Sequence, residues 1–259
     1  MIAYVLGRLT HAVLVLFVVS VLAFLLGDSI GDPVASILGL DAPAAERAAL
    51  RLRLRLDEPF VSRYLHYVGN VLRGEFGNSY GAQRPIVDLF AERIPTTVEL
   101  ALVALLLSVA VGIPLGVYAA ARRGRGLAGA LMTASVIGVS VPTFVIGILL
   151  IFLFSLGLGW LPSFGRGEVV RIGFWTTGFL TISGLKSLVM PAIALALGQI
   201  ALVARLARAE MLGVLGTDYI RFARARGLPE RSIHFSHALR NTLIPIITVS
   251  GIQLGYLVA

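Results

Sequence analysis

A helix needs about 20 mostly apolar residues to cross the roughly 30 Å hydrocarbon layer of a bilayer. Five stretches of this sequence meet that length, at about 9–27, 97–121, 129–157, 188–209 and 242–259. Each is apolar on all sides rather than along one stripe, which separates lipid-facing helices from those that cover a soluble core. Helix is the form expected of them, because a bilayer interior offers no partner to open backbone groups. Composition agrees. The chain has 57% hydrophobic and 14% charged residues, against about 45–50% and about 25% in soluble domains. A soluble fold would leave much of that surface in water, whereas a bilayer absorbs it.

The basic balance, 22 Lys+Arg against 14 Asp+Glu, does not point to nucleic acid, because the charges fall between the apolar runs rather than along one polar face. There is no cysteine, hence no disulfide framework, thiolate nucleophile or Cys-ligated metal. Arg8 precedes the first run as in a signal peptide, but the run continues to Leu26 without an obvious small-residue cleavage site, so an uncleaved helix is expected. Short loops set the orientation. Arg122, Arg123 and Arg125 follow the second run with no acid. Arg205, Arg208, Arg221, Arg224, Arg226, Arg231 and Arg240 outnumber Glu210, Asp218 and Glu230 between the fourth and fifth. With Arg8 these lie on one side of an alternating topology, and the positive-inside rule makes that side cytoplasmic. The N-terminus is then inside and the end of the fifth run outside. That run stops at Ala259 without a charged anchor, so a sixth helix beyond it is expected.

Three regions follow: an N-terminal transmembrane helix over 1–27, an external helical segment over 28–96 and a membrane core over 97–259. In the external segment eight Arg face nine acids between 28 and 95, and long segments translocate regardless of charge. Pro43, Pro59 and Pro85 stand where short helices could begin, and Gly74, Gly77 and Gly81 mark breaks. A second irregular stretch, 157–187, carries Trp160 and Trp175 as interface anchors.

The cytoplasmic stretch from Arg208 to Pro245 carries the most information. Asp218 is expected to cap a helix that runs through Arg226, Gly227 to end it in the left-handed conformation, and Pro229 to open the next. The outcome is a helix–turn–helix elbow with an arginine-rich face, on which Ala223 and Ala225 leave room for close contact. On physical grounds alone, such a loop either docks a protein or fixes topology and binds anionic head groups.

The residues resemble a known pattern. Met211-Leu212, Val214-Leu215, Asp218-Tyr219-Ile220-Arg221, Ala223-Arg224-Ala225 and Gly227-Leu228 are followed by His237-Ala238-Leu239-Arg240-Asn241 and Leu243-Ile244-Pro245. The run is similar to the EAA loop of ABC importer permeases, in the variant of the dipeptide/oligopeptide/nickel branch. Arg221 and Phe222 replace the acid and first alanine of the broader motif, as that branch does. Further fragments fall in the same order: Gly31-Asp32-Pro33-Val34, Leu56-Asp57, Gly69-Asn70, Arg84-Pro85, the Arg93–Leu100 run, Gly112–Gly116, Ser140–Phe144 and Leu158–Pro162. The resemblance implies an all-α polytopic membrane protein, a helix bundle of the type I ABC importer permease kind. It implies a coupling loop at about 210–241, with Asp218, Tyr219, Arg221, Ala223, Arg224, Ala225, Arg226, Gly227, Leu228 and Pro229 meeting an ATPase. The implied partners are a second permease subunit, two ATP-binding cassette ATPase subunits and an extracytoplasmic substrate-binding protein, in the bacterial cytoplasmic membrane. Peptides are the favoured cargo, with nickel or another metal chelate as the alternative.

Other signals limit the chemistry. No P-loop is present and the sole lysine, Lys186, lies in the external stretch, so either energy comes from another chain or the protein is a passive channel or secondary carrier. No catalytic set, cofactor or metal site is expected. His234 and His237 share a helix face, yet with no acid nearby they read as helix-end or docking residues rather than ligands. Glu99, Arg205 and Arg208 lie near span ends, where snorkelling or interface anchoring is the default. The absence of a charge relay argues against a proton-coupled carrier. Ser140, Thr143 and Gln199 are the uncharged candidates for a substrate pathway, with helix–helix hydrogen bonding an equal alternative. Pro114, Pro142 and Pro191 are expected to bend their helices. Gly112-x-x-x-Gly116 and Gly251-x-x-x-Gly255 are expected to serve close packing.

Overall fold

The computed structural model describes residues 2–29, 33–39, 42–79, 81–122, 126, 129, 133 and 141–258. They divide into two compact units, Met1–Phe90 and Ala91–Ala259.

In the first unit, α1 (Ile2–Ser29) is a 28-residue helix. At 1.5 Å per residue it is about 42 Å long, more than a hydrocarbon layer. Its flanks expose Val13, Leu14, Leu16, Val19 and Leu22, a surface that only lipid or protein would cover. Helix α2 (Pro33–Leu38) and α3 (Ala44–Arg53) follow, the latter capped by Pro43, then α4 (Phe60–Leu72), capped by Pro59. Phe60, Tyr64 and Tyr67 recur at helical spacing on one face of α4 and meet Phe24 of α1 at ring-centroid distances of 5.4, 5.7 and 5.5 Å. Tyr64 also hydrogen-bonds Ser20 at 2.7 Å, which satisfies the phenol inside an otherwise apolar contact. In the first turn of α4, the Ser62 hydroxyl donates back to Glu58 at 2.7 Å and holds that carboxyl below its ordinary range. A two-residue pair, β1 (Asn78–Ser79) with β2 (Arg84–Pro85), closes the segment. Pro85 thus precedes not a short helix but the long α5 (Ile86–Ala121).

Most of α5 belongs to the second unit, where it packs on α7 (Ile182–Leu215). Ala101, Ala104, Ser108, Gly112, Gly116 and Ala120 are buried along one face of α5; Ala196, Val203, Ala204, Ala207 and Met211 are buried on α7. A Cβ on Gly112 would stand 2.9 Å from Val203, and one on Gly116 would stand 2.5 Å from the Ala204 carbonyl. Only glycine allows that approach, so the first Gly-x-x-x-Gly is a packing site. Around Gly251 and Gly255 a Cβ would meet no described residue within 4 Å. Helix α10 (Leu239–Val258) joins the pair through Ile246, which packs with Val203 and Ala207.

Among the described residues, four helices are long and apolar enough to cross a membrane: Ile2–Gly27, Ile86–Ala121, Ile182–Leu215 and Glu230–Val258. The third expected run is described as continuous helix over Thr143–Gly157, as α6 (Thr143–Leu150) continuing into a π-helical turn, Ile151–Gly157. Pro142 does not bend this helix. It is the N-cap, with φ −57° and ψ 136°, because a residue without an N–H is best tolerated where the first turn has no partner for one. Pro114 and Pro191 do lie inside helices, as do Pro95 and Pro245.

The fold is not purely helical. Besides β1–β2, β3 (Val170–Ile172) pairs antiparallel with β4 (Trp175–Thr177). This hairpin corrects the expectation for Glu99, which does not snorkel and is 2% exposed. Its carboxylate accepts from Arg166 Nη2 at 3.3 Å, Gly178 N at 3.2 Å and Trp175 Nε1 at 3.4 Å. Arg166 in turn donates to Thr176 Oγ1 at 2.7 Å. Trp175 is therefore tied to this cluster, while Trp160 stays exposed.

Candidate functional site

At the other end of α7 from the hairpin, the chain leaves the span at Leu215 and forms α8 (Asp218–Ala225). Asp218 is not the cap. Thr217 takes that position with extended backbone, but its hydroxyl donates back to Val214 O at 2.6 Å and makes no cap bond. Asp218 is the first helical residue, where its charge suits the positive end of the helix dipole, and it pairs with Arg221 at 3.1 Å.

The helix ends as the sequence requires. Gly227 has φ 76°, Leu228 N donates to Ala223 O and Gly227 N to Arg224 O, the bonding pattern of a Schellman motif. Pro229 caps the next turn, α9 (Glu230–Ser232), which passes through a π-helical turn at Ile233–Ala238 into α10. π turns often mark functional positions in membrane and soluble helices alike.

One face of the elbow is locked. Ile220 and Ala223 are buried with Met211 of α7, Val117 and Ala120 of α5, and Ile233 and Ala238 after the elbow. Polar ties add to this core. Asn241 Nδ2 donates to Tyr219 Oη at 2.7 Å, and Arg224 Nε to Glu230 Oε1 at 2.9 Å. Glu230 also faces His234 at 3.4 Å. An acid therefore does stand beside one histidine, while His237 is exposed. Among the described residues no group of three His, Cys, Asp or Glu is placed to hold a metal.

The opposite face is open. Arg221, Ala225, Arg226, Leu228 and Pro229 are exposed. Phe222 is 63% exposed and Tyr219 42%, with the Arg226 guanidinium 5.7 Å from the Phe222 ring. An aromatic ring held out among arginines is the composition of an interface hot spot. Phe222 was not singled out from sequence; its offset of two from Ile220 and one from Ala223, both buried, was the available signal. Behind the elbow lies a cavity of about 770 Å³ lined by Arg122, Arg224, Arg231, Glu230 and His234 among others.

A second cavity, of about 350 Å³, lies between α6, α7 and α10. Thr143 and Gln199 both line it, together with Arg205 and Gln253. Gln199 Nε2 donates to Gln253 Oε1 at 3.2 Å. Ser140, the third candidate, lies outside the described residues.

Apolar spans joined by a partly exposed elbow define a polytopic membrane protein. The chain belongs to the family of binding-protein-dependent transport system inner membrane components. The family model matches residues 112–259, and the model of the family's N-terminal region matches residues 1–101. A di/tripeptide transport system permease protein of Pseudomonas aeruginosa is 40% identical, covering all of this chain and 81% of that protein. A glutathione transport system permease protein of Escherichia coli K12 is 36% identical over 99% of this chain and 79% of its own length.

Proposed function

We propose that this chain is the transmembrane permease subunit of an ATP-driven peptide importer of the cytoplasmic membrane. Two ATP-binding cassette subunits would dock on the 218–229 elbow, a second permease subunit would complete the pathway and an external binding protein would deliver the cargo. The chain itself would carry out no catalysis. The finer topology belongs to the same proposal: five spans within 1–259, with the N-terminus and the elbow on the cytoplasmic side, as the arginine distribution favours.

One observation carries the coupling role. The inner face of α8 shares a single buried core with α5, α7 and the start of the last span, so displacement of the elbow moves three membrane segments rather than a loose loop. The cargo class rests on the relatives, which are permeases for di/tripeptides and for glutathione, itself a peptide.

Gentle detergent purification of the tagged protein from its own host tests this. Two Walker-type ATPases and a second permease should accompany it, and Ala225→Trp, which adds bulk on the exposed face only, should release the ATPases. Purification as a solitary protein, under conditions that keep other transporter complexes whole, would contradict the proposal.

A further inference from the structure

Arg205 lines the 350 Å³ cavity and makes no hydrogen bond or ion pair with any described residue. The cavity's remaining polar groups are neutral. Thr143 stands on α6, Gln199 about 9 Å further along α7 by helical rise, and Gln253 on α10. The single bond between the two glutamines leaves the Gln199 carbonyl and the Gln253 amide protons available. Ile146, Leu195, Leu202 and Leu257 supply apolar walls. No acid is among the lining residues.

A cation inside a membrane segment is costly and faces a cavity or a counter-ion. Here the cavity is present and none of the described residues provides a counter-ion. A guanidinium is a planar fork that matches a carboxylate through two parallel bonds. Glutamine amides carry the donor and acceptor of a peptide bond. The volume lies in the range of small-ligand sites.

We propose that this cavity is the chain's share of a peptide-binding site within the membrane. Arg205 takes the carboxylate of the cargo, and Gln199 and Gln253 open their mutual bond to take a backbone amide. The proposal rests on the peptide-importer reading above. It also changes the account of Arg205 itself, whose place near the inner end of α7 suggests snorkelling until the cavity is seen.

The chain has no cysteine, so Leu202→Cys places its single thiol on the cavity wall, between Gln199 and Arg205. In the complete importer, reconstituted with its ATPases, second permease and binding protein, that thiol should react about tenfold faster with a negatively charged methanethiosulfonate than with a positively charged one. Dialanine during ATP turnover should slow the reaction. Adding Arg205→Gln should abolish the charge preference. In the chain without the cysteine, Arg205→Gln should cut dialanine uptake at least about tenfold, the worth of one charge-assisted hydrogen bond. Arg205→Lys should retain the charge preference while recovering only part of the uptake. Wild-type uptake by Arg205→Gln, or a thiol indifferent to reagent charge and to dialanine, overturns the proposal and leaves the importer reading standing. Failure of the unaltered importer to take up dialanine contradicts the peptide reading instead, and is seen before any residue is changed.

Discussion

Glu99 and Arg166 form a largely buried ion pair in the second unit. The carboxylate side chain is 3% exposed and the guanidinium 21%, so removing one partner leaves the other poorly solvated. Breaking a fully buried pair costs about 3–5 kcal/mol, and the solvent still reaching Arg166 lowers that to about 2–3 kcal/mol for Glu99→Ala. The loss should appear as faster proteolysis between Arg166 and Gly178 and a lower melting temperature in detergent. An unchanged proteolytic pattern would mean that the hairpin is held by its backbone pairing alone. The sequence revealed Glu99 as a charge inside an apolar run, but its partners lie 67 to 79 positions away. No local pattern reports contacts at that separation, which is why end-of-span snorkelling was the natural expectation. The cavity beside Arg205 was equally illegible, since its walls come from three helices.

Between elements, the two Gly-x-x-x-Gly runs make a controlled comparison. They are alike in sequence, yet only Gly112 and Gly116 face a neighbouring backbone. Gly116→Leu must push α5 away from Ala204 and Ala207, and overpacking of that kind costs about 1–3 kcal/mol or more. Gly251→Leu meets open space in this chain. The former should lower the yield of monodisperse protein and its melting temperature, and the latter should leave the melting temperature of the isolated subunit within a degree or two. Equal effects would show that the α5–α7 crossing is not set by these glycines. Spacing reveals which residues can pack closely but not what lies opposite. The elbow was more legible because its signals are local: Gly227 and Pro229 act through their own backbone. The one-residue error at Asp218 arose because Thr217, the true cap position, spends its hydroxyl on Val214.

At the scale of the whole molecule, the apolar runs revealed the spans because length and hydropathy act without tertiary context. Four of the five appear as long helices among the described residues, and the third as continuous helix from Thr143. The docking partner could be expected only through resemblance, since an arginine-rich loop suits lipid and protein equally. The central claim is that the exposed face of α8 seats in an ATPase. It is tested most directly by placing a photo-crosslinking phenylalanine analogue at position 222 and irradiating intact membranes. The account predicts an adduct with the mass of this chain plus one ATP-binding cassette subunit, lost when Ala225→Trp is added. Adducts with lipid alone, in cells where the importer is active, would contradict it.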